Sequence, residues 1–206
     1  MKKISSFVLC VLLMSCSFSK NEKNSASDVT VKEGIDSVQQ EISFNKELTY
    51  PGSKISFRVN TKEDTLMIQP SGLSLSYETL YHDITGYTVV NAEIGDLNID
   101  SYPEVFVYLT SDGSGSYGKL IGYSVNNGKT VSQVYLPEIS ENKEVSIGYM
   151  GHDEMAIVEN SFCQRFPIYK DGDSNANPTG GMRQIQYKLV DGENGKTLKI
   201  DKVVEF

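Results

Sequence analysis

Few residues of this chain have the types and spacing that covalent chemistry needs. His82 and His152 are the only histidines, in Tyr-His-Asp and Gly-His-Asp settings seventy positions apart. No G-x-S-x-G, H-E-x-x-H or glycine-rich phosphate loop accompanies them. Ser114-Gly115-Ser116 is no nucleophile elbow, because a strand pattern rather than a helix follows it. Both histidines therefore read as surface loop residues. A glycosidase would need a matched pair of carboxyl groups, and no pair stands out. The expectation is a binding protein, not an enzyme, with no cofactor.

One acidic run could hold a hard cation. In Asp96-Leu97-Asn98-Ile99-Asp100-Ser101-Tyr102-Pro103-Glu104, oxygen ligands alternate at Asp96, Asn98 and Asp100, as calcium requires. An EF-hand-type loop wants glycine at its sixth position and a bidentate acid at its twelfth. Ser101 and Val107 stand there instead. The same residues make an Asx-rich turn that launches the next strand, its side chains bonded to backbone amides. The turn is the favoured reading.

The stretch SDGSGSYG, residues 111–118, offers non-covalent chemistry. It lies between PEVFVYLT and KLIGYSV, two strong strand patterns, and carries no charge from Gly113 to Gly118. Glycine lets such a tip enter a concave site at little steric cost. Ser114 and Tyr117 bring neutral hydroxyls that donate or accept, and a tyrosine ring anchors with few rotors. A cleft holding one ionised and one protonated carboxyl would repel an acidic tip but accept this one. A solvated hairpin loop whose tyrosine packs back on the sheet fits the same residues.

The elements around these candidates have strand periodicity. KISFRVN sets Ile55, Phe57 and Val59 against Ser56, Arg58 and Asn60; GLSLSY does so with Leu73, Leu75 and Tyr77; RQIQYKL with Ile185, Tyr187 and Leu189; TLKID adds Leu198 and Ile200. Alternation of this kind marks half-buried strands. PEVFVYLT is apolar on both faces, which predicts a mid-sheet or covered strand. Pro70-Ser71-Gly72, Asn126-Asn127-Gly128 and Asp191–Gly195 supply turns. About ten short strands over ~160 residues predict a single all-β domain, an antiparallel sandwich or barrel.

The N-terminus reads as an export signal. Lys2 and Lys3 precede an apolar run, Phe7 to Met14, too short for a permanent membrane span. Leu13-Met14-Ser15-Cys16 resembles a lipobox, so residues 1–15 are expected to be a lipoprotein signal peptide and Cys16 the lipidated residue. Residues 16–46 then form a polar tether, with a short helix at Ile35, Val38 and Ile42, and residues 47–206 the β domain. The expected location is the cell envelope, with lipid as the link to the membrane. Cys163 alone remains in the domain, a buried thiol with no disulfide partner. Loss of residues 1–15 removes two lysines and no acid, moving the formal charge from −8 to −10. That charge speaks against nucleic acid or an anionic membrane face as a partner and fits either a cationic partner or simple solubility.

The runs GDLNIDSYPEVFVYLTSDGSGSYGKLIGYS and FPIYKDGDSNANPTGGMRQIQYKL, with IQPSGLSL upstream, resemble the periplasmic inhibitors of invertebrate-type (i-type) lysozyme. The resemblance covers roughly residues 64–200, and its most specific part is Ser114-Gly115-Ser116-Tyr117, which matches the S-G-x-Y motif of that family. It implies an all-β inhibitor whose motif loop enters the lysozyme cleft, with Ser114 and Tyr117 contacting the catalytic region. A homodimer is compatible with it. Arg183, in GGMRQ, is read either as a second contact or as a brace bonding backbone carbonyls. Two readings of another class stand beside this one: a lipid-anchored calcium-binding or adhesion module, and a glycan-binding protein of the envelope.

Overall fold

The computed structural model describes residues 44–75 and 78–206. The signal peptide, Cys16, the helix expected around Ile35–Ile42 and most of the tether lie outside the described residues. Among the described residues, no helix is long and apolar enough to cross a membrane.

The fold is all-β, a single domain of two sheets. The first sheet has the order β1-β2-β3-β4, from Asn45–Thr49, Ser56–Lys62, Thr65–Ser71 and Leu80–Asp83. Its strands pair antiparallel throughout. Strand β1 begins at Asn45, and Phe44 already packs on the core, so Lys46 belongs to the sheet rather than the tether.

The second sheet holds β5 (Tyr87–Gly95), β6 (Glu104–Ser111), β7 (Gly118–Asn126), β8 (Thr130–Tyr135), β9 (Glu154–Val158), β10 (Ser161–Pro167), β11 (Met182–Asp191) and β12 (Lys196–Glu205). Their order is β5-β6-β7-β8-β12-β11-β10-β9. One pair departs from the antiparallel expectation: β12 runs parallel to β8 at Lys196↔Val134 and Thr197↔Tyr135. The chain reaches that pairing after a long excursion through a one-turn 3₁₀ helix (Ile139–Glu141) and β9–β11. Parallel neighbours need a long crossover of this kind.

This sheet curls until its two edges meet. The Ile157 amide in β9 donates to Glu93 Oε2 in β5 at 2.8 Å, and the Tyr108 hydroxyl donates to the same oxygen at 2.6 Å. Gly95 lets the edges approach, since a Cβ there would lie 3.1 Å from the Ile157 side chain. The result combines the two architectures that the periodicity allows: a nearly closed eight-stranded sheet with a four-stranded sheet laid on it.

Strand β6 is the shared wall. Val105, Val107 and Leu109 pack with Phe57, Val59, Leu66 and Ile68 of the first sheet. Phe106 and Tyr108 point the other way, into a second core with Phe162, Phe166, Ile185 and Tyr187. The two-sided apolar pattern of PEVFVYLT has this origin. Each of these fully buried side chains contributes about 1.5–3 kcal/mol on burial.

Two local expectations change. GLSLSY does not continue as a strand: β3 ends at Ser71 and Leu75 is 53% exposed. Gly72 sits at φ +79°, where a Cβ would fall 2.0 Å from the Lys54 carbonyl, and the Ser74 amide bonds to the Gly128 carbonyl instead of a neighbouring strand. His82 is not a loop residue. It lies in β4, half-buried, with a ring nitrogen 2.9 Å from the Tyr123 hydroxyl, and burial lowers its pKa.

Candidate functional site

The tip joins β6 to β7. The last ladder pair is Thr110↔Gly118, and the Ser111 amide then donates to the Tyr117 carbonyl at 2.9 Å. Returning the favour, the Tyr117 amide donates to Ser111 Oγ at 2.8 Å. Between these bonds the chain turns on the Ser116 amide to the Gly113 carbonyl, with Ser116 at φ +44°. Ser111 thus closes the hairpin by backbone and side chain together.

Gly115 has a direct physical reason. A Cβ built there would lie 2.4 Å from Cε2 of Tyr117. The tyrosine ring occupies that space, lying across the glycine backbone. Its other side meets Tyr149 edge-on, with centroids 5.7 Å apart at 74°. Tyr149 in turn packs edge-on against buried Phe166 at 4.7 Å. Tyr117 is therefore held in place yet 45% exposed. The packing-back expected of a plain hairpin loop holds only in part, since nearly half the ring faces solvent.

Beneath the tip lies a half-buried carboxylate that sequence reading missed. Asp153 accepts from the Gly118 amide (2.8 Å), the Tyr149 hydroxyl (2.7 Å) and the Gln164 amide (2.8 Å). Gln164 accepts in turn from buried Tyr187 at 3.0 Å. Burial pushes the Asp153 carboxyl above its usual range, while its three donors pull the other way. These bonds fix the start of β7 and the ring of Tyr149 at once.

Two further loops hold the tip's backbone. The His152 amide donates to the Gly115 carbonyl at 2.7 Å, and Asn175 Nδ2 donates to the Ser114 carbonyl at 2.7 Å. Gly151 permits the first contact: it sits at φ +86°, and a Cβ would fall 2.1 Å from the Gly115 carbonyl oxygen. The loop carrying Asn175 is itself organised by Asp173, which accepts from the amides of Lys170 and Thr179 and from the Thr179 hydroxyl. Among the described residues, Gly113 to Tyr117 form their hydrogen bonds through backbone groups, and none takes up the hydroxyl of Ser114, Ser116 or Tyr117. The site can offer three neutral hydroxyls and an aromatic face from a fixed frame.

Arg183 is buried away from the tip's surface. Its Nη1 donates to the carbonyls of Val145 and Ile147, both at 2.7 Å, and Nε and Nη2 donate to Glu205 at 2.9 and 2.6 Å. This is the bracing geometry. It fixes the segment leading to Tyr149 and so reaches Tyr117 only through that ring.

The acidic run 96–104 uses its oxygens on its own backbone. Asp96 accepts from the amides of Asp100 (3.1 Å) and Ser101 (2.9 Å), and Asp100 accepts from the Tyr102 amide (2.8 Å) and Asn98 Nδ2 (2.8 Å). Ile99 and Ser101 take positive φ to make the turn. Glu104, fully buried at the start of β6, closes it from below by accepting from the Leu97 amide and the Ser124 hydroxyl, both at 2.8 Å. Burial raises the Glu104 pKa to about 7, against the pull of those two donors. Among the described residues, no group of three or more His, Cys, Asp or Glu is placed to hold a metal ion. Cys163 is buried in β10, and burial raises its thiol pKa.

His152, Asp153 and Asn175 carry no mark in the sequence beyond the glycines around them, because their partners on the tip are backbone groups. Compared with family models, curated proteins and solved structures, the chain gives no match in any of the three.

Proposed function

We propose that this chain is an envelope lipoprotein that inhibits a lysozyme, of the invertebrate type, by placing the Ser114-Gly115-Ser116-Tyr117 tip in the catalytic cleft. The observation that carries the reading is the tip itself: an uncharged Ser114–Tyr117 stretch on a braced frame, whose hydroxyls have no partner among the described residues and whose tyrosine is propped on Tyr149. A lysozyme cleft presents one ionised and one protonated carboxyl. A hydroxyl donates to the first and accepts from the second, so Ser114 and Tyr117 are matched to both. Each hydrogen bond to a charged group is worth about 1.5–3 kcal/mol. The formal charge of −8 on the chain favours encounter with a cationic enzyme. The lipid on Cys16 would keep the inhibitor beside the peptidoglycan it protects.

The test is lysis of bacterial cell walls by an invertebrate-type and a chicken-type lysozyme, each mixed with the full chain. Selective inhibition of the invertebrate-type enzyme supports the reading; no effect on either sinks it. In the same assay, Ser114→Ala combined with Tyr117→Ala should weaken inhibition at least tenfold, about 1.4 kcal/mol, in a protein that unfolds at the wild-type urea midpoint. Unchanged inhibition by the folded double variant would remove the tip from the mechanism.

A further inference from the structure

The tip's presentation is fixed by a relay that begins on two other loops. Asn175 stands 61 residues along the chain from Ser114, and its side chain bridges the gap. Its amide orientation is determined by its partners: Nδ2 must face the Ser114 carbonyl, an acceptor, which turns Oδ1 toward His152 Nε2 at 3.1 Å. His152 therefore donates through Nε2–H. Its ring stacks on Tyr169 at 6.3 Å between centroids, and the Tyr169 hydroxyl donates to the Asn175 carbonyl at 2.9 Å. The three side chains form a closed brace around one tip carbonyl, while the His152 amide holds the next one.

We propose that Asn175 is the positioning residue of the tip: oriented by His152 and Tyr169, it draws the Ser114 carbonyl back toward the domain and leaves the Ser114 and Tyr117 hydroxyls directed at the partner. This rests on the tip being the partner-contacting element. Residues 112–116 include two glycines and one residue at positive φ, so without an external hold they sample many conformations. Holding them before the encounter removes that ordering cost from binding. The apparent affinity of a site falls by the fraction of molecules in the competent form. Loss of the Asn175 donor therefore lowers the rate of productive association and leaves dissociation nearly unchanged, since the bound tip is the same.

Two variants of the full chain test this. Asn175→Ala deletes the side chain. Asn175→Asp keeps its shape and its bond to His152 but sets an oxygen against the Ser114 carbonyl. Hydrogen exchange of the Ser116 and Tyr117 amides, both bonded within the tip, is read in the free protein. Association and dissociation rates are read with an invertebrate-type lysozyme. The expected result for both variants is exchange at least tenfold faster at those two amides and association about tenfold slower, with dissociation changed less than twofold. Unchanged exchange with faster dissociation would make Asn175 a direct contact and overturn the positioning role. Unchanged exchange and unchanged rates would overturn it as well. Faster exchange in the variants, beside a wild-type chain that inhibits no lysozyme, would uphold the brace and overturn the proposed function.

Discussion

The two loops at the ends of β6 are built from opposite economies of polar groups. At its start, residues 96–103 carry two carboxylates, Asp96 and Asp100, whose oxygens accept from three neighbouring backbone amides and from Asn98 Nδ2. At its end, residues 111–117 have the Ser114 and Gly115 carbonyls held by Asn175 and His152, while the hydroxyls of Ser114, Ser116 and Tyr117 take no partner among the described residues. The loop that looks chemically richer in the sequence is the structural one. On the proposed function, the stretch from Gly113 to Gly118, which carries no charge, is the one that meets the partner. On that proposal, polar content alone does not mark the functional loop, and what matters is whether backbone or side chain is left over.

The largest effect separating the two loops should be a pH dependence centred on the first. Glu104 has its pKa raised to about 7 in the fold against 4.5 as a free side chain. The folded state then holds the proton more tightly, so its contribution is full below about pH 4.5 and is lost as pH rises through about 7. Unfolding free energy should fall by on the order of 3 kcal/mol across that window. Glu104→Gln should flatten this slope, read by urea titration at several pH values. A slope that survives in the variant would assign the effect elsewhere, with Asp153 the next carboxyl to change because its pKa is also raised.

Next in size is Asp96→Ala, which strands the amides of Asp100 and Ser101. It should cost about 2 kcal/mol in urea unfolding while the protein that remains folded inhibits as the wild type does. Loss of inhibition without loss of stability would invert the comparison. The smallest stability effect belongs to Gly115→Ala. The nearest atoms to its new methyl belong to the part-exposed ring of Tyr117, which can swing outward, so stability should change by less than about 1 kcal/mol. Inhibition should fall severalfold as the ring leaves Tyr149. Equal inhibition would show that the propped ring is not what the partner reads.

The sequence made some of this visible and hid the rest for definite reasons. Strand β6 was legible because its two faces bury in two different cores, which leaves no polar alternation to misread. The Asn127-Gly128 turn was legible because its positive φ values, 51° and 66°, demand those residue types. The failure at Leu73–Leu75 arose because Gly72 answers to the Lys54 carbonyl, a neighbour that local periodicity cannot show. Ser114 and Tyr117 could be picked out as a tip from strand–glycine–strand punctuation. Asp153 and Asn175 could not, being 35 and 61 residues from the groups they hold.

Because β6 contributes side chains to both cores, neither sheet has a complete interior without it. Peeling away the four-stranded sheet would bare Val105, Val107 and Leu109, and opening the curled sheet would bare Phe106 and Tyr108. The domain should therefore melt as one cooperative unit, with a single calorimetric transition whose van't Hoff and calorimetric enthalpies agree. A tension applied along β6 would load both layers together. The tip, seated at the end of that strand, is mounted on the element that both cores share.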